Sequence, residues 1–141
     1  MVVMKFGGTS VKDPEAIRRL GRIVVREQGY ETILEKLAAP ATIAGIGTPT
    51  VAELGIVVSA RLRTDATSIV AELLDHLDIA EVPFGDAHWR AAIDAFLRYG
   101  RGRHAAGLNF GDCLTYAVAR LANEPLLFVG QDFAATDLAV A

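Results

Sequence analysis

Apolar positions recur along the chain at two different spacings, and their alternation predicts strands interleaved with helices. Short continuous apolar runs, the pattern of buried strands, occupy Met1 to Phe6, Thr42 to Ile46, Ile79 to Val82 and Leu126 to Val129. Between them, apolar residues return every three or four positions, the period of a helix with one buried face. Asp13-Pro14-Glu15 marks a helix start, with a cap, a first-turn proline and an acidic first turn, and Ile17, Leu20, Ile23 and Val24 follow. A second helix is predicted from Tyr30 to Ala38, after the break at Gly29. Thr48-Pro49 offers the cap and first-turn proline of a helix reaching about Leu62, with Val51, Leu54, Val58 and Leu62 on its buried face. Asp65 to Leu77 reads as the next helix, with Ile69, Leu73, Leu74 and Leu77 on its apolar side. Asp86 opens another, carrying Trp89, Ile93, Phe96 and Leu97. The segment Tyr99 to His104, rich in glycine and arginine, reads as a loop. Asn109 then caps a last helix with Phe110, Leu114, Ala117, Val118 and Leu121 near one face.

Strands alternating with amphipathic helices imply an α/β fold, a mostly parallel sheet flanked by helices. A length of 141 residues fits a single domain over residues 1–141, with no internal repeat or linker. With 52% hydrophobic and 22% charged residues, the chain can bury a core. The apolar runs are far shorter than the roughly 20 residues that span a bilayer, so no membrane segment is expected. The start lacks the features of a secretory signal, and the lone Cys113 allows no internal disulfide; both favour a cytoplasmic setting. On an apolar helix face, Cys113 reads as packing rather than as a nucleophile. Fourteen basic against 17 acidic side chains leave a net charge of -3, which excludes broad electrostatic binding of nucleic acid and confines any such contact to a local patch.

In a parallel sheet, function gathers where the strands end at their carboxyl side. Three acids stand at such places: Glu53 in the helix after the second strand, Asp112 in the first turn of the last helix, and Asp132 just beyond Leu126 to Val129. Clustered carboxylates stay ionised together if they share a divalent cation, and oxygen ligands suit Mg2+ or Mn2+. Such an ion activates water and neutralises charge on a scissile phosphate, which points to phosphodiester hydrolysis. Each acid also has a plainer reading. Glu53 fits the solvated flank of its helix, Asp112 the exposed amides of a helix start, and Asp132 a turn.

Ordered motifs sharpen the choice. Pro49-Thr50-Val51-Ala52-Glu53-Leu54-Gly55, Gly100-Arg101-Gly102-Arg103-His104, Leu108-Asn109-Phe110-Gly111-Asp112-Cys113 and Leu126-Leu127-Phe128-Val129-Gly130-Gln131-Asp132-Phe133 resemble, in order and spacing, the motifs of VapC toxins. The resemblance runs from about Gly29 to the end. It implies a PIN fold and a metal-dependent endoribonuclease, the toxin of a type II toxin-antitoxin system. Glu53, Asp112 and Asp132 match its acidic positions, with Asp137 as a further metal-ligand candidate. It also implies an RNA substrate, a VapB-like antitoxin and a homodimer. Arg101, Arg103 and His104 form a plausible phosphate-contacting edge, with a solvated loop as the plainer alternative.

The start departs from that pattern. VapC toxins carry an Asp at the end of the first strand, whereas Val2-Val3-Met4-Lys5-Phe6-Gly7-Gly8-Thr9-Ser10 has no carboxylate before Asp13, itself a helix cap by its context. Lys5 to Val11 instead resembles the beginning of aspartokinases, in which a lysine and a glycine-rich turn serve phosphate binding. Residues 1–28 thus form an atypical start and residues 29–141 a VapC-like body. Three functions follow as alternatives: a VapC-like ribonuclease, an inactive PIN-fold binding module, and an aspartokinase-like nucleotide-binding fragment.

Overall fold

The computed structural model describes residues 2–4 and 43–141. The helices expected after Asp13 and from Tyr30 to Ala38, and the glycine-rich segment Lys5 to Ser10, lie outside those residues. The described elements are β1 (Val2–Met4), β2 (Ala44–Gly47), α1 (Thr48–Leu62), α2 (Thr67–His76), β3 (Ile79–Val82), α3 (Asp86–Tyr99), α4 (Phe110–Ala122) and β4 (Leu126–Leu127). The strands form one four-stranded sheet in the order β3-β2-β1-β4. Every pairing is parallel: Val3 lies opposite Gly45 on one side and Leu126 on the other, and Gly45 opposite Ala80.

Parallel strands covered on both faces read as unbroken apolar runs, and β2 is buried at all of its positions. Two apolar clusters divide the core. Ala44, Ile46, Leu54, Val58, Val70, Leu73 and Leu74 belong to one with Leu127, while Ala92, Ala95, Tyr116 and Val118 belong to the other with Leu126. Neighbouring strand residues point to opposite faces, so Leu126 and Leu127 place α3 and α4 on one side of the sheet and α1 and α2 on the other. Full burial of Leu54 and Val58 contributes about 1.5–3 kcal/mol each before the cost of ordering the chain.

Several faces differ from the periodicity reading. Thr48 does not cap α1: the preceding residue is Gly47, without a side-chain cap, and the Thr48 hydroxyl instead accepts the Phe84 N–H at 3.1 Å, tying the helix start to the segment after β3. Leu62 is exposed, and Thr50 takes a buried place on α1. Asp65 stands just before α2, where its carboxylate accepts the Thr67 N–H at 2.9 Å and the Thr67 hydroxyl at 2.6 Å. On α3 the small residues Ala92 and Ala95 face the core with Tyr99, leaving Trp89, Ile93, Phe96 and Leu97 on the outside. Close packing of α3 on α4 selects alanine at the contact. Phe110 and Leu121 also point outward from α4, and Phe110 is 80% exposed.

Candidate active site

The start of α4 builds one wall of the site. The Asn109 side chain accepts the Asp112 N–H at 3.0 Å, while the Asp112 carboxylate accepts the Asn109 N–H at 2.9 Å. This reciprocal capping box satisfies amides that a helix start otherwise leaves without partners. It also fixes the carboxylate of Asp112, a residue 1% exposed, in one orientation. The next residue, Cys113, is buried on the same helix; burial first, and then the neighbouring Asp112 charge, push its thiol upward in pKa.

The opposite wall is α1. Glu53 is exposed there and lines an open pocket of about 450 Å³ with Pro49, Thr50, Asn109, Gly111 and Leu114. A β-carbon added to Gly111 would lie 3.6 Å from Glu53 Oε2, so the Glu53 carboxylate rests against the first turn of α4. The two helices also meet through buried hydroxyls: Thr50 Oγ1 and Thr115 Oγ1 are 3.3 Å apart, with residue exposures of 3% and 2%.

Asp132 sits exposed in the turn region beyond β4. Asp137 is taken up elsewhere: it accepts the Tyr116 hydroxyl at 2.6 Å and an Arg98 N–H at 3.0 Å. Partial burial alone would raise the Asp137 pKa, but the bonds from Tyr116 and Arg98 outweigh it and hold the carboxyl below its ordinary range. Burial first, and then the bond to Asp137, raise the Tyr116 phenol above its ordinary range. Among the described residues, no three His, Cys, Asp or Glu side chains form a group able to hold a metal ion. Glu53 and the turn bearing Asp112 are brought together; Glu53, Asp112 and Asp132 do not close into one group, and Asp137 is bound in a separate cluster. The described donors therefore do not by themselves make a metal centre.

Arg101, Arg103 and His104 are all exposed on the loop between α3 and α4. A bridge between Gly100 and Leu108 closes its base. His104 is spent on the loop itself: its Nδ1 accepts the Ala106 N–H at 3.1 Å and its ring meets Tyr99 edge-on at 5.2 Å. Arg103 lies over the Phe96 ring at 5.1 Å. Arg101 lines a mainly apolar groove of about 570 Å³ with Trp89, Phe96, Asn109 and Phe110.

Periodicity missed the Thr50 and Thr115 pair and the Arg98, Tyr116 and Asp137 cluster. The only trace of the first is spacing: Thr50 precedes Glu53 by three residues, and Thr115 follows Asp112 by three, so each threonine shares a helix side with an acid.

Comparison with known proteins defines the class. Residues 20–138 match the PIN domain family. The chain is 44% identical over 116 residues to Ribonuclease VapC36 of Mycobacterium tuberculosis and to VapC ribonuclease Mb2004c of Mycobacterium bovis, covering 82% of this chain and 84% of each relative. It is 36% identical to Ribonuclease VapC of Mycolicibacterium smegmatis, over 82% of this chain and 90% of that protein. The chain belongs to the PIN-domain family, within its VapC group. The family match begins at residue 20, inside the segment read as an atypical start.

Proposed function

We propose that this chain is a VapC-type endoribonuclease, the toxin of a type II toxin-antitoxin pair, dependent on Mg2+ or Mn2+. The observation that carries the reading is the 44% identity to VapC ribonucleases across most of both chains. The seating of Glu53 against the first turn of α4, beside Asp112, supports it. Oxygen donors of this kind suit a hard divalent cation. Asp132 is the remaining acidic candidate, and the cluster with Tyr116 and Arg98 argues for a structural role for Asp137. Arg101 and Arg103 supply local positive charge for an RNA backbone on a chain whose net charge is -3. His104 shapes the loop that presents them.

The partners in this reading are RNA, a VapB-like antitoxin and a second copy of the chain, acting in the cytoplasm as a single PIN-like domain. The exposed apolar residues Trp89, Ile93, Phe96 and Leu97 support protein partners, since contiguous apolar surface of this kind marks interaction faces. No described helix is long and apolar enough to cross a membrane.

A second reading, an inactive PIN-fold binding module, is favoured by the segment Val2 to Ser10, which has no carboxylate. Incubation of the pure protein with single-stranded RNA and Mn2+ decides between them. The ribonuclease reading expects cleavage that requires the metal and falls more than about tenfold in Glu53→Gln and in Asp112→Asn. No cleavage by the unaltered chain, together with retained capture of a VapB-like antitoxin, would establish the binding module instead.

A further inference from the structure

Proteins that hold single-stranded RNA stack its unpaired bases on aromatic rings and arginine planes, and meet its backbone with positive charge nearby. The start of α4 and the loop before it carry both kinds of group. Phe110 occupies the first position of α4, where helix geometry favours proline or an acid and gives a phenyl ring no role. Its 80% exposure keeps it out of the core. An exposed ring alone needs no explanation; the place of this one does.

Phe110 lines both the apolar groove of about 570 Å³ and the pocket of about 450 Å³ that contains Glu53, with Asn109 and Leu114 as the other shared residues. The two hollows therefore adjoin, and the ring stands between them, two residues before Asp112. Arg101 is on the groove wall, Arg103 lies over the Phe96 ring at 5.1 Å and Arg90 over the Trp89 ring at 4.2 Å. Neither Arg101 nor Arg103 forms an ion pair among the described residues. A purely apolar partner would gain nothing from these guanidinium groups. A strand that alternates planar bases with phosphates matches rings set among arginines.

We infer that Phe110 is a specificity-determining residue that stacks an unpaired base of single-stranded RNA, with Arg101 on the neighbouring phosphate, and so lays the strand across the mouth of the Glu53 pocket. The inference rests on RNA as the substrate, though its readout is binding and needs neither metal nor cleavage. The full chain is titrated in EDTA against a labelled single-stranded RNA of about 12 nucleotides, followed by fluorescence anisotropy. Trp89, the chain's one tryptophan, lines the same groove, so quenching of its fluorescence reports whether the strand lies there. Phe110→Tyr keeps the ring, while Phe110→Leu keeps apolar bulk without a flat face. At so exposed a position neither should move the melting temperature. An abasic strand of the same length supplies phosphates without bases, and Arg101→Gln removes the charge.

RNA affinity should fall about fivefold or more in Phe110→Leu and stay within about twofold in Phe110→Tyr. The abasic strand should bind more weakly than RNA and should not distinguish Phe110→Leu from the unaltered protein. Arg101→Gln should weaken the binding of both strands, and RNA should quench Trp89. RNA affinity unchanged in Phe110→Leu, equal binding of RNA and the abasic strand, or no RNA binding at all would overturn the inference. A leucine variant that loses self-association or antitoxin capture while binding RNA as before would assign the ring to a protein interface instead. RNA binding with this dependence on Phe110 but without Mn2+-dependent cleavage would sink the ribonuclease reading alone.

Discussion

Replacing Asp137 by Asn tests whether this acid holds the end of the chain in place. In the structure it accepts the Tyr116 hydroxyl at 2.6 Å and Arg98 at 3.0 Å, joining the segment after Phe133 to α3 and α4. Asn keeps the size and can still accept from Tyr116, but it removes the charge from both bonds. Hydrogen bonds to a charged group contribute about 1.5–3 kcal/mol, and neutral ones about 0.5–1.5 kcal/mol. With 35% of the Asp137 side chain open to solvent, the ion pair is screened, and Arg98 keeps Tyr99 and Asp94 as partners. The expected loss at neutral pH is therefore about 1–2 kcal/mol, or roughly 3–8 °C in melting temperature for a chain of this size.

The sign with pH follows from the lowered carboxyl pKa of Asp137 in the folded protein. An unfolded Asp titrates near about 3.9. The stabilisation is present above that value and disappears as the pH falls through the lower folded value. Melting curves of both proteins, followed by circular dichroism from pH 7 to pH 3, should show a gap that narrows toward the acid end. A gap below about 1 °C at pH 7, or one equally wide at pH 3, would refute the assignment of Asp137 to this cluster.

Two further outcomes test the packing around the site. Gly100→Ala should destabilise by about 3 kcal/mol, because the added carbon falls on the Phe96 carbonyl oxygen and ring; chemical denaturation midpoints measure it, and a midpoint equal to that of the unaltered protein would contradict the fit. Cys113, buried and raised in pKa, should react with a thiol reagent at pH 7.5 only on unfolding, so prompt labelling of the native protein would show that α4 opens more readily than its burial implies.

Much of the fold was legible before any coordinates. The apolar runs read at residues 42–46, 79–82 and 126–129 overlap strands at 44–47, 79–82 and 126–127, and the helical periods after Thr48, Asp65, Asp86 and Asn109 are helices, because these patterns depend on neighbours a few residues apart. The ordered motifs around Glu53, the arginine loop, Asp112 and Asp132 were sufficient to point to the VapC group, which the family match and relatives show. The Asn109 cap was readable for the same reason: both its partners lie within one turn.

Tertiary structure decided what depends on residues distant in sequence. Local spacing placed Phe110 on an apolar helix face, yet only the packing of α3 on α4 through alanines shows that it points outward. Asp137 is a metal candidate by its motif alone, and only the folded chain shows that Tyr116 and Arg98, 21 and 39 residues away, bind its carboxylate. Thr50 and Thr115 are 65 residues apart and carry no local mark of their meeting. A sequence records the side chain's chemistry and its short-range period; which two helices face each other, and so which hydroxyls and carboxylates share a space, is set by burial of the whole sheet.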